Sequence, residues 1–327
     1  MIIGTRVQCG LSTSVDGVVL REWRDVLDSD RSAEVVGLID AAVAEDRVSP
    51  VSDHVRLRLR PDAPAAPESS RHLLVRDDDG RLAGYAHLEP GAEGSPAVAE
   101  LVVHPELRRR GFGAELVAGL VELAPGPDAL RVWSHGGHPG AARLAERHGF
   151  RQVRALWRMR REFDEPLPEA SLPEGVRLRP FVVGRDEAAV VEVNNRAFSW
   201  HPEQGGWDVA DVRAREAESW FDPAGFLLAV REDPDGGERL LGYHWTKVHA
   251  GEEPIGEVYV LGVDPDAQGG GLGKALTLAG LRHLRAAGLP AVMLYVESDN
   301  EPAIAVYRRL GFRHWDTDVQ YARSSEQ

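Results

Sequence analysis

VLGVDPDAQGGGLG, residues 260–273, is the stretch to read first, because the chain contains it twice. The other copy is ELVVHPELRRRGFG, residues 100–113. Pro105 falls on Pro265, Arg108 on Gln268, Gly111 on Gly271 and Gly113 on Gly273, all at one offset. A second pair follows in the same order: AARLAERHGF, ending at Phe150, matches AIAVYRRLGF, ending at Phe312, with the offset changed by two residues. Two motifs recurring in one order mark an internal duplication. The patterning around each copy agrees. An apolar run (from Leu73; from Phe226) crosses a polar Gly/Asp turn into a second run through Gly84-Tyr85 or Gly242-Tyr243, which is a hairpin signal. A third run ends at Val-x-Pro and enters, through the glycine turn, a helical pattern carrying Leu276, Leu278, Leu281 and Leu284. A β-type run, AVMLYVE, and a short helix through Ile304 and Tyr307 close the unit. The chain reads as α/β, a mixed-sheet α+β domain built twice.

Between the copies lies REFDEPLPEASLPEGVRLRP, whose Pro and Glu content is that of an exposed linker. The expected organisation is an uninformative lead at 1–20, an N-terminal domain at 21–165, a linker at 166–175 and a C-terminal domain at 176–327. A chain of 327 residues, 43% of them hydrophobic, can bury two cores. The net charge of −14 excludes a nucleic-acid binder, since phosphate recognition needs a basic surface. An anionic ligand would need a local basic or backbone N–H site. Cys9 is the single cysteine, which rules out an internal disulfide and a cysteine zinc site and fits a reducing compartment. No apolar stretch approaches the ~20 residues of a membrane span, and the start lacks a signal-peptide pattern. A cytoplasmic monomer with small-molecule partners, no metal, no nucleic acid and no membrane is expected.

In both halves a glycine turn leads directly into a helix. Such a turn aims free backbone N–H groups and the positive end of the helix dipole at one point, which suits a pyrophosphate. A Walker loop fails on spacing: counting back from Gly273-Lys274 puts Gln268 where its first glycine belongs, and Ala275 follows the lysine. A Rossmann fingerprint fails too, with Leu276 at the third glycine when counted from Gly271 and Lys274 when counted from Gly269.

The halves differ in what could move a proton. Glu257 heads the strand GEVYVLGV, where a period of two would place it on one face with Tyr259 and Leu261, and its counterpart is Ala97. Tyr307 has Ala145 as counterpart, and Asn300 has His138. An amine must lose a proton before it attacks a thioester, and Glu257 can take it directly or through water. The departing thiolate needs a proton or a hydrogen-bond donor, a role for Tyr307. Backbone N–H groups near Leu261–Val263 would polarise the thioester oxygen. The bland readings are a core tyrosine and a strand-end surface carboxylate. Arg108-Arg109-Arg110, at a helix start, reads as a phosphate contact rather than a solvated cluster.

Gln/Arg-x-x-Gly-x-Gly/Ala after a Val-x-Pro strand end resembles the acyl-CoA loop of the GNAT acetyltransferase superfamily, and Asn300-x-x-Ala303 with Tyr307 and Leu310-Gly311-Phe312 resembles its second motif. The resemblance implies two tandem GNAT acyl-CoA N-acyltransferase domains using acetyl-CoA as co-substrate. Cofactor contacts would be Leu101, Val102, Val103, Arg109, Arg110, Gly111, Phe112, Gly113 and Ala114 in the first half. In the second they would be Leu261, Gly262, Val263, Gln268, Gly269, Gly270, Gly271, Leu272, Gly273, Lys274, Asn300, Glu301, Pro302, Ala303, Ile304 and Ala305.

VNNRAFSWHPEQGGW from Val193, WFDPAGFLLA, LGYHWTKVH ending at His249, GEVYVLGVDP and LYVESDN bring the match closer, to the mycothiol synthase family. That likeness implies acetylation of the cysteinyl amine of a cysteinyl-glucosaminyl-inositol acceptor held between the halves. Glu203, Lys247, Glu257 and Tyr295 would be contacts, with Asp53 where the family pattern would carry Glu. It also implies catalysis in the C-terminal half and a retained, non-catalytic acetyl-CoA site in the other. Gly269 and Gly270 stand where family members often have arginines, which leaves backbone N–H donors to meet the pyrophosphate. Two alternatives stay open: an acetyltransferase for another amine, such as a protein N-terminus or an aminoglycoside, and a non-catalytic CoA-binding sensor.

Overall fold

The computed structural model describes residues 10–13, 18–59, 70–91, 95–124, 126, 128–169, 171–199, 205–232, 236–251 and 253–323. Two compact units emerge, Met1–Leu156 with Asp316–Gln327, and Trp157–Trp315.

In the first unit β1 (Gly10–Thr13) and β2 (Val18–Arg24) pair antiparallel, so the sheet begins inside the lead. α1 (Ser29–Asp46) starts where the Asp28 side chain accepts the Arg31 N–H, and it buries Val35, Leu38, Ile39 and Ala42, one stripe of a helix. α2 (Asp53–Arg58) follows, then β3 (Arg71–Arg76), β4 (Leu82–Glu89), β5 (Ala97–Val103), α3 (Phe112–Leu123), β6 (Leu130–Ser134) and α4 (Pro139–Arg147). β2 to β5 form an antiparallel run, while β6 joins β5 in parallel. The core under α3 gathers Leu73, Ala86, Leu116, Leu120 and Leu130.

β7 (Phe150–Glu162) leads into the second unit, which continues with β8 (Val176–Pro180), α5 (Glu187–Ala197), α6 (Val209–Glu216), β9 (Phe226–Glu232), β10 (Glu238–His249), β11 (Ile255–Val263), α7 (Leu272–Ala286), β12 (Ala291–Glu297) and α8 (Glu301–Arg309). The strand order here is β7-β12-β11-β10-β9-β8. All four leucines that mark the amphipathic pattern of α7 are buried. The approach of α7 to the sheet depends on Gly280, where a Cβ would lie 2.2 Å from the ring of His244. That imidazole is fully buried, bonds the Leu276 carbonyl through Nδ1 at 2.8 Å, and is pushed down to about 4 by burial, so it is neutral.

The last strand, β13 (Arg313–Arg323), pairs antiparallel with β6 through Val319–Ala322 and completes the sheet of the first unit. The Pro/Glu-rich stretch 166–175 falls within the second unit, so a cut there does not follow the compact units. The reason is that β6 takes its outer partner from the end of the chain, and hydrophobic pattern alone does not say which edge a strand will join. Among the described residues no helix is long and apolar enough to cross a membrane.

Candidate active site

The second unit builds its site on the β10–β11 hairpin. Lys247 stands opposite Glu257 in register. Between Trp245 and Thr246 the register shifts, because Trp245 faces Val260 and Thr246 faces Val258, which leaves Tyr259 as a bulge. The bulge corrects the simple alternation. Tyr259 packs with Trp245 and Val260 on the α5 and α6 side, whereas Leu261 packs with the α7 side. Glu257 therefore shares a face with Tyr259 and not with Leu261, as the Lys247 ammonium opposite it, 5.5 Å from the Tyr259 ring, indicates.

Glu257 is only 6% exposed, and its Oε2 lies 2.6 Å from His249 Nε2. The Lys247 ammonium also lies 5.1 Å from the Trp220 ring, and Tyr259 accepts a hydrogen bond from Arg215 Nε at 3.1 Å. On its other side β11 pairs with β12 over Gly256–Val258, where Met293 faces Glu257. From Tyr259 to Val263 no strand partner continues on that side among the described residues, so backbone N–H groups there can meet a ligand. Tyr295 sits two residues beyond Met293, 41% exposed, on the face opposite the buried Leu294 and Val296. Lys247, Glu257 and Tyr295 are thus brought to neighbouring strands of one face. Glu203 lies outside the described residues. Asp53 opens α2 in the first unit and is exposed.

The glycine turn has the conformation its sequence implies. Gly269 and Gly271 have φ of +90° and +81°, and Gly271 is the N-cap of α7. A Cβ at either would meet nothing within 4 Å, so it is the backbone angle and not the space that favours glycine. Leu272 is buried, while Gln268, Gly270 and Lys274 are exposed. Arg196, on α5, bonds Asp266 at 2.7 Å and Asp264 at 3.2 Å and so secures the approach to the turn. The segment Asn300–Ala305 opens α8. Asn300 Oδ1 accepts the Ala303 N–H at 3.1 Å, so that oxygen serves as a helix cap, and Ile304 is in the core. Tyr307 lies on α8 with its ring edge-on to Phe312 at 5.7 Å, and burial pushes its phenol up to about 12.

In the first unit the corresponding place holds a cavity of about 460 Å³ lined by Leu101–Val103, Arg109, Gly111, Gly113 and Ala114. Arg109 takes φ +65° where the second unit has Gly269, a strained angle for a residue with a Cβ. Arg110 lies over the Phe112 ring at 5.6 Å. Arg108 lines the cavity but is paired within the protein. Its fork closes on both oxygens of Asp46, at 2.8 and 2.6 Å, because the end of α1 brings a carboxylate within bidentate reach.

Near this cavity sits an ion cluster that sequence reading missed. His135 Nδ1 is 2.9 Å from Asp318, and Nε2 is 3.7 Å from Glu100. Glu100 also accepts the Ser52 N–H at 2.6 Å, and Asp318 accepts that of Gly136. Burial opposes charge on His135, but the two carboxylates outweigh it and raise the imidazole to about 10. Glu100 is likewise held below the usual carboxylate range against its own burial. A charge at the head of the apolar run ELVV was the available signal. For His249 the signal was weaker, since its contact with Glu257 depends on hairpin register.

A mixed sheet whose parallel pair parts beside a glycine-turn helix defines an acyl-CoA-dependent acyltransferase unit, here made twice. The Acetyltransferase (GNAT) family matches residues 39–150 and 189–312. The mycothiol acetyltransferase of Actinosynnema mirum is 57% identical, over 92% of this chain and 98% of its own, and that of Saccharopolyspora erythraea 55%, over 85% and 97%. Among solved structures, a GCN5-related N-acetyltransferase from Sphaerobacter thermophilus superposes with a TM-score of 0.69 at 26% identity, covering 92% of this chain and 95% of that one. A tandem GNAT protein from the clavulanic acid pathway, at 24% identity, shares the fold with a TM-score of 0.70 over 94% and 100%. The chain belongs to the GNAT acetyltransferase family and, within it, to the mycothiol acetyltransferases; it is an acetyl-CoA-dependent N-acetyltransferase.

Proposed function

We propose that the second unit transfers the acetyl group of acetyl-CoA to the cysteinyl amine of 1D-myo-inositol 2-(L-cysteinylamino)-2-deoxy-α-D-glucopyranoside, giving mycothiol and CoA. Kinship names the acceptor. The buried Glu257, beside the point where β11 and β12 part, carries the assignment to this unit, for Ala97 offers no base in the other.

Glu257 takes the ammonium proton, directly or through a water, and the freed amine attacks the thioester carbon. N–H groups of Leu261–Val263 hold the oxygen as charge develops on it. The C–S bond breaks as the amide forms, and Tyr307 meets the departing thiolate. With its phenol near 12, complete proton transfer to a thiolate of roughly 8.5 would be uphill by about 5 kcal/mol. Tyr307 therefore acts by donating a hydrogen bond, and the thiolate takes its proton from solvent. The turn at Gly269–Gly273 receives the pyrophosphate through backbone N–H groups at the start of α7. The first unit holds a second acetyl-CoA in its cavity without turning it over.

The test is product formation followed by mass spectrometry, with acetyl-CoA offered against the cysteinyl-glucosaminyl-inositol amine, peptides and aminoglycosides. Acetylation confined to the cysteinyl amine is expected. Acetylation of another amine, or of none despite cofactor binding, would overturn the acceptor or the enzymatic role respectively.

A further inference from the structure

The Glu257 carboxylate has a partner that the reaction scheme above does not use. His249 ends β10, two residues past Lys247, and reaches diagonally across the hairpin to place Nε2 2.6 Å from Glu257 Oε2. The imidazole is partly open to solvent, with 28% of its side chain exposed, against 7% for the carboxylate. An ionised carboxylate only accepts, so Nε2 carries the hydrogen in this pair.

Glutamate has three rotatable bonds, and a base that must meet an amine in one geometry cannot be left to sample them. Lys247 makes the problem acute. It stands opposite Glu257 in register, with its ammonium 5.1 Å from the Trp220 ring and 5.5 Å from the Tyr259 ring. A carboxylate swung onto that ammonium would be an ion pair and a poor base. Among the described residues this face also carries Arg215, bonded to the Tyr259 hydroxyl, and Tyr295 and Glu297 on β12.

We propose that His249 is a positioning residue for acetyl transfer: its Nε2–H holds one oxygen of Glu257 away from Lys247 and turns the other to the amine. The inference rests on reading Glu257 as the base. A glutamine at 249 can present an amide N–H near the same point, whereas an alanine cannot. His249→Ala should lower kcat by about 10-fold to 100-fold, the scale of a misplaced reacting group, with KM for acetyl-CoA unchanged. His249→Gln should recover most of the loss.

The decisive experiment is a double-mutant cycle with Glu257→Gln. If His249 acts through Glu257, His249→Ala has little further effect on kcat in the Glu257→Gln background. An equal loss in both backgrounds, or a His249→Gln variant no better than His249→Ala, would overturn the proposal. The cycle is run with whichever amine the wild-type enzyme acetylates, so a wrong acceptor does not obscure it. Imidazole nitrogen NMR of the substrate-free protein supplies a readout independent of turnover. The His249 Nε2–H signal should be present in the wild type and displaced in a folded Glu257→Ala variant, and an unmoved signal would contradict the pairing.

Discussion

Tyr307 and His135 are both half-buried titratable groups, yet their surroundings shift them for different reasons. Burial alone holds the Tyr307 phenol protonated across the working range, as a hydrogen-bond donor to a thiolate must be. Tyr307→Phe should lower turnover about 100-fold, the scale of losing one donor to developing charge, with acetyl-CoA affinity nearly unchanged in direct binding measurements. His135 is instead a counter-ion. Its imidazole, raised to about 10, contributes stability that is full below its ordinary value of 6.5 and is lost as pH rises through about 10. Glu100, held below its ordinary 4.5, contributes stability present above that value and lost as pH falls through the lowered one. Replacing His135 with Leu strands two buried carboxylates and should cost about 3–5 kcal/mol near neutrality. Thermal unfolding checks this: the gap between wild type and variant should narrow at alkaline pH, where the wild-type imidazole also loses its charge. Glu257 and Tyr307 were legible as candidates because a repeated motif supplied a counterpart lacking each of them. The His135 cluster was not, because Glu100, His135 and Asp318 come together only when the far end of the chain joins the sheet.

The glycine turn is the element where sequence and backbone agree most directly. Positive φ at Gly269 and Gly271 follows from the need to pass from a strand end into α7 while presenting N–H groups outward. The first unit makes the same turn with Arg109 at φ +65°, so the geometry belongs to the motif and not to glycine alone. A cation can be added where space allows. Gly270 is exposed, and a Cβ there would approach only Pro173, at 3.8 Å. Gly270→Arg should lower KM for acetyl-CoA about 2-fold to 5-fold, the worth of one surface cation near a helix-start phosphate, and kcat should stay constant. A raised KM would mean that position 270 does not face the cofactor. The bulge at Tyr259 was illegible for a physical reason. One extra residue in a strand leaves the composition of the run unchanged and appears only in its register against β10.

At the scale of the whole molecule, the duplication could be read from two motifs, but the compact units do not follow a simple tandem cut. β13 closes the sheet of the first unit, with Val319 and Ala322 buried and Tyr321 packed on its core. Residues 1–165 expressed alone would leave β6 an unpaired edge and should aggregate or fail to unfold cooperatively. A monomer with a sharp thermal transition would contradict that. Two copies of one fold, one with Glu257 and one with Ala97 in its place, are the ground on which the proposed chemistry is assigned to the second unit. The most direct test is therefore steady-state turnover of Glu257→Gln at saturating cysteinyl amine. The account predicts a fall in kcat of about 10²-fold to 10⁴-fold, with acetyl-CoA binding retained in both units. Unimpaired turnover would remove Glu257 as the base and reopen which unit performs the transfer.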